Sequence, residues 1–120
     1  MGTYSKIILS GSTDGQGIRI TATTPSGTIV HTCVTGAAES IDEMWVYGHS
    51  TVTTTAQIVF AFGVTTATGS RLTHTVSAGD KAGLILMIPG LVGRNTKILK
   101  ASATSTDRFN LFGYVNRYAS

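Results

Sequence analysis

The sequence is short of charge, of cysteine and of anything that reads as a helix. Only 12% of its 120 residues are charged, about half of the ~25% usual in a soluble domain. A monomer surrounded by solvent carries more charge than this for solubility, so the composition points to an oligomer or to a component of an assembly. The nine Lys and Arg are scattered singly, with no run longer than one. That removes the basic stripe expected of a nucleic-acid binder, in spite of a formal net charge of +3. Cys33 is the one cysteine, so no disulfide can form within the chain; in the apolar run TIVHTCV it reads as a small buried hydrophobe with no reactive role. Long hydrophobic runs are missing as well. The opening MGTYSKIILSG has one Lys and three consecutive aliphatics before it turns polar, too little for a signal-peptide core or a membrane span. The expectation is a product of the host cytoplasm, made without Sec export, with no membrane partner.

What the chain has in quantity is threonine, twenty residues, and glycine, fourteen. Short β-branched runs are cut by Gly, Ser, Asp and Pro turns every ~8–12 residues, and no segment shows helical periodicity. The pattern predicts nine strands: Ser5–Leu9, Gly17–Ala22, Thr28–Val34, Asp42–Ser50, Gln57–Val64, Arg71–Val76, Ala82–Ile88, Lys97–Ala103 and Phe109–Tyr118. STDGQ, TPSG, TGAAES, STVTTT, TTATGS, SAGD, PGLVGRN and TSTD are the expected turns. Nine strands without helices in 120 residues imply an all-β, single-domain β-sandwich over residues 1–120, of jelly-roll type.

Three strands carry information about faces. In the stretch RFNLFGYVNRY, alternation puts Phe109, Leu111 and Val115 on one side and Asn110, Phe112, Tyr114, Asn116 and Tyr118 on the other. The first set suits a core; the second, aromatic and amide-bearing, suits a partner. The strand Asp42–His49 separates Met44 and Val46 from Glu43, Trp45, Tyr47 and His49, and gives a second candidate surface in Trp45 and Tyr47. Ala82–Ile88 is apolar on both sides and is followed by Pro89-Gly90. It reads as a central strand that ends at the proline, and Leu86→Asp is then expected to leave the protein insoluble.

A search for chemistry finds no site. Of four Asp and two Glu, the close pair Asp42 and Glu43 points to opposite faces, which is wrong for a carboxylate dyad. His31, His49 and His74 fall on three strands without metal-ligand spacing, and each reads as a polar residue at a sheet surface. Asp14-Gly15-Gln16-Gly17 is followed by neither Gly-Lys-Ser/Thr nor a helix and reads as a hairpin turn. Ser10 and Ser12 have no base that the sequence places beside them. No catalytic residue, cofactor or metal is expected.

The segments SKIILSGSTDGQGIRITATTPSGTIVHTCVTG, IDEMWVYGHSTVTTTAQIVFAFG, VSAGDKAGLILMIPGLVGRNTKILKASA and FNLFGYVNRY together resemble the small β-rich virion proteins of tailed bacteriophages, some of them head-decoration or cement proteins. The resemblance covers nearly the whole chain, and its most specific parts are Leu111–Arg117 and Met87–Leu91. It implies a non-enzymatic structural protein on the virion capsid surface, docking as a homo-oligomer, a trimer, where copies of the major capsid protein meet. No contact residue of that family transfers to a numbered position here. A tail, baseplate or head-fibre component would use the same sandwich, and a carbohydrate-binding module would use Trp45 and Tyr47 as a stacking platform.

Overall fold

The β-branched runs form nine strands among the described residues of the computed structural model, which are 2–24, 27–35, 39–51, 55–63, 71–76, 83–104 and 109–119. They are β1 (Thr3–Ile8), β2 (Ile18–Arg19), β3 (Thr28–Thr32), β4 (Ile41–Ser50), β5 (Ala56–Phe62), β6 (Arg71–Val76), β7 (Ile85–Gly93), β8 (Ile98–Ala103) and β9 (Phe109–Ala119). The turns expected at TTATGS and SAGD, most of TSTD with Arg108, the middles of TPSG, TGAAES and STVTTT, and Val64 and Ala82 at the ends of two expected strands lie outside the described residues.

All pairings are antiparallel. One sheet runs β1-β9-β4-β7, with β2 also on β9, and the other runs β3-β8-β5-β6. β1 pairs with Tyr114–Ala119 and β2 with Asn110 and Leu111 of the same strand, so β1 and β2 lie end to end along one edge. Asp14 and Gly15 both have positive φ (53° and 85°) and the Gln16 amide donates to the Thr13 carbonyl, a tight turn of the kind Asp-Gly favours. The expected hairpin is corrected in one respect: the turn lies between two collinear strands that do not pair with each other. Counting β1 and β2 as one edge, the two four-stranded sheets have the strand order of a jelly roll.

The core lies between the sheets and is built by alternation. Met44 and Val46 from β4 and Phe109, Leu111 and Val115 from β9 meet Val30, Ile58, Phe60 and Leu99 from the other sheet, all nearly or fully buried. At the centre of the first sheet a Cβ on Gly113 would collide with the Trp45 carbonyl oxygen; the close approach of β9 to β4 requires glycine there.

β7 departs from the sequence reading. It is an edge strand, and it continues through Pro89 and Gly90 to Gly93. Its register on β4 shifts twice, passing over Gly90 and Met87, and Gly90 takes a φ of 80°. A proline with no N–H is tolerated at an edge and a bulge absorbs the irregularity. Leu84 and Leu86 are 53% and 40% exposed, so the apolar run reflects an uncovered edge where a strand buried on both sides was expected. Between this edge and β6, a slot of about 340 Å³ lined by Leu72, Met87 and Leu91 opens to solvent.

Two substitutions test this core. Leu86→Asp is now expected to give a soluble protein that melts cooperatively, because its carboxylate stays hydrated. Leu111→Asp, fully buried, should place an unpaired charge in the core and abolish folding, since several kcal/mol is lost from a total of ~5–15. Thermal melts of the two variants decide it.

Candidate functional site

Two places in this fold concentrate chemistry: a buried polar cluster between the sheets and the outer surface of the first sheet.

The buried cluster centres on Asp42, which enters the interior from β4 and is fully buried. Its cross-strand neighbour in β9 is Arg117. The Arg117 guanidinium donates from Nε to Oδ1 at 2.7 Å and from Nη2 to Oδ2 at 2.9 Å. Oδ2 also accepts from the Val34 amide at 3.1 Å and lies 2.7 Å from His31 Nε2. His31, on β3 of the opposite sheet, is fully buried too, a correction to its reading as a surface residue. The Ser10 amide donates to His31 Nδ1 at 3.0 Å. That nitrogen is therefore the bare one, the proton sits on Nε2, and the imidazole donates to Asp42 while remaining neutral. One carboxylate, one guanidinium and one neutral ring then cancel in charge with their hydrogen bonds made, the condition under which buried ions are tolerated.

Burial pulls the pKa of His31 below its ordinary value, and the hydrogen bond and charge of Asp42 only partly oppose this. Burial pushes Asp42 upward, but the hydrogen bonds from Arg117 and His31 outweigh it, and the net direction is down. Burial also pushes the Cys33 thiol up to about 11, which leaves it protonated and unreactive at neutral pH.

His31, Cys33 and Asp42 offer donor atoms within 4.8 Å of one another, a grouping their sequence spacing did not suggest. The donor set does not fit a cation as it stands. Both imidazole nitrogens are in use, the carboxylate is held on both oxygens by Arg117, and the thiol is held protonated. A Ser-His-Asp triad is ruled out by the same geometry: Ser10 reaches His31 through its backbone amide, while its hydroxyl oxygen accepts from the Thr32 amide at 2.7 Å. The cluster ties β3 to β4 and β9 and is a structural clamp. One signal for His31 was present in the sequence. It is two residues from Cys33 in an extended segment, so a buried Cys33 implies a buried His31.

The outer surface of the first sheet collects all the residues that alternation had assigned to partners. β4 and β9 pair without interruption from Ile41↔Tyr118 to Ser50↔Phe109. This places Trp45 beside Tyr114, Tyr47 beside Phe112, Glu43 beside Asn116 and His49 beside Asn110. The two candidate surfaces are one surface. Each of Asn110, Phe112, Tyr114, Asn116, Tyr118, Trp45 and Tyr47 is half-buried on it, while Asp42, Met44 and Val46 face inward; Trp45 is not core.

Cross-strand rows order this surface. Tyr4, Tyr118 and Ile41 form one row; Lys6, Asn116, Glu43 and Val92 the next; Ile8, Tyr114, Trp45 and Pro89 the third. The Trp45 and Tyr114 rings are nearly parallel, 9° apart with centroids at 6.3 Å, and the Tyr4 and Tyr118 rings are 4.7 Å apart. The Lys6 ammonium sits 4.6 Å from the Tyr114 ring centroid, a cation–π contact. Glu43 Oε1 accepts from Trp45 Nε1 at 2.7 Å and from Asn116 Nδ2 at 3.3 Å. These two bonds lower the Glu43 pKa, so the carboxylate is charged at neutral pH. A shallow depression of about 440 Å³ lies over Tyr4, Ser5, Lys6, Glu43 and Asn116. The outer surface of the other sheet presents Gln57, Val59, Thr73, Thr75 and Lys100, with no aromatic ring among them.

Compared with protein-family models, with curated proteins and with solved structures, the chain gives no match.

Three outcomes test the clamp. Asp42→Ala should cost about 3–5 kcal/mol, the penalty for leaving a buried partner uncompensated, read by urea denaturation. Stability should also be complete above the ordinary histidine value of ~6.5 and fall as pH drops below it, because the unfolded chain takes up a proton that folded His31 refuses; a further loss follows at acid pH where Asp42 is protonated. A melting temperature that is flat or rises from pH 7 to pH 5 contradicts the neutral buried ring. Cys33→Ala should cost only about 1 kcal/mol and leave assembly intact.

Proposed function

We propose that the protein is a non-enzymatic assembly component that buries the outer surface of its first sheet against a protein partner. The observation that carries this reading is the confluence of Trp45, Tyr47, Phe112, Tyr114 and Tyr118 on one continuous face. Aromatic rings supply contact area at small entropic cost, and the interspersed Asn110, Asn116 and Glu43 can satisfy polar groups on a partner. The low charge content and the exposed apolar residues at the rim, Tyr4 at 81%, Ile8 at 46% and Val92 at 50%, belong to a surface that is covered in its working state.

The resemblance to head-decoration and cement proteins supplies the partners, which are other copies of the chain and the major capsid protein. On that reading the chain works as a symmetric oligomer on the capsid surface of a tailed phage, contacts the major capsid protein and reinforces the shell. Multiple weak contacts gain from effective concentration when several copies dock together. Jelly rolls serve in viral capsids and also in lectins, and the depression between two aromatic rows makes a saccharide the second reading; a glycan array separates the two.

The test is the double variant Trp45→Ala, Tyr114→Ala. It should fold, since the inward aliphatics are untouched, and its occupancy on particles that carry this protein should fall by the equivalent of about 2–4 kcal/mol. Full occupancy together with unchanged particle survival on heating would overturn the reading.

A further inference from the structure

The middle row of the outer face carries a cation, an amide and an anion in order, Lys6, Asn116 and Glu43, with Val92 of β7 beyond the anion. Lys6 and Glu43 lie on strands flanking β9, about 10 Å apart by strand spacing, with Asn116 between them. Neither has an opposite charge as partner among the described residues: Lys6 rests over Tyr114, and Glu43 uses only Oε1, bonded to neutral donors. Turned about an axis through Asn116, two such rows bring each Lys6 over the other's Glu43.

We infer that this face pairs with the same face of a second copy of the chain, about a two-fold axis that lies between the two sheets and runs along β9. This rests on the reading of the face as a contact surface and names its occupant. Of the two-fold axes in the plane of the face, two are aligned with the sheet, one across the strands and one along them, and charge decides between these. An axis running across the strands sets Lys6 over the partner's Lys6 and Glu43 over the partner's Glu43. An axis running along β9 sets Lys6 over the partner's Glu43, Glu43 over the partner's Lys6, and Asn116 over its counterpart. It also keeps each aromatic row at its own height, so the Tyr118 and Tyr114 rows pack on either side of the charged row and exclude water from it. Like charges opposed in an interface repel and select against that arrangement, whereas opposite charges set both orientation and register. An isologous contact of this kind is the commonest way for a soluble chain to close on itself.

The experiment is sedimentation equilibrium on the purified chain and on charge variants, with circular dichroism to verify that each is folded. The wild type should be a species of two chains that weakens with added salt. Lys6→Glu alone and Glu43→Lys alone should each dissociate to monomers, with affinity about a hundredfold lower or worse. Mixing those two variants should give one-to-one heterodimers, and Lys6→Glu combined with Glu43→Lys should restore the homodimer. Glu43→Gln, which keeps an acceptor for Trp45 and Asn116 but has no charge, provides a milder variant and should weaken pairing without changing the fold. A wild type that is monomeric or trimeric, single swaps that still dimerise, or a mixture that stays monomeric would each overturn this pairing. The assembly reading would be untouched by those results and would still stand or fall on particle occupancy.

Discussion

The pairing of β4 with β9 is the constraint on which the rest depends. Ten consecutive residues of β4 face ten of β9 without a bulge, and the period of two along each strand divides everything they carry. Inward go Met44, Val46, Leu111 and Val115, and outward go Trp45, Tyr47, Phe112 and Tyr114. The same register aligns Asp42 with Arg117 inside and Glu43 with Asn116 outside. A slip of one residue would expose the aliphatic core, bury the rings and separate the ion pair. Gly113 fixes the approach, because any side chain there would strike the β4 backbone.

The clamp and the outer surface use their polar groups in opposite ways. The Asp42, Arg117 and His31 network spans both sheets. A buried pair of this kind adds little net stability over an apolar filling of the same shape, but it penalises any arrangement that leaves the carboxylate alone. Its hydrogen bonds are made within the fold, by Arg117, His31 and the Val34 amide around the one carboxylate. The outer surface is the converse. Its rings are half-buried and its one strong hydrogen bond, from Trp45 to Glu43, holds the indole and leaves the second carboxylate oxygen to face outward partners.

Edges are handled unequally. β7 has Pro89 and two register shifts, devices that blunt a strand against indiscriminate pairing. β6 has neither, and the apolar slot between β6 and β7 remains open. The fold therefore presents an ordered aromatic surface in one direction and a less guarded edge in another.

Alternation alone determined much of this. The all-β class, the approximate place of each strand, the two-faced character of β4 and β9 and the opposite directions of Asp42 and Glu43 follow from a period of two and from turn chemistry, both local properties of the chain. The burial of Cys33 was legible from the apolar run around it, and with it that of His31, two residues away in an extended segment. The position of β7 was not. An apolar run at an edge and an apolar run at a sheet centre have the same composition, and only the order of strands tells them apart. Nor could residues 75 apart announce that Arg117 would grip Asp42, or two separate strands that their aromatic sides would merge into one surface. Those outcomes were decided by which strands became neighbours, a non-local choice made by the packing of two sheets around one core.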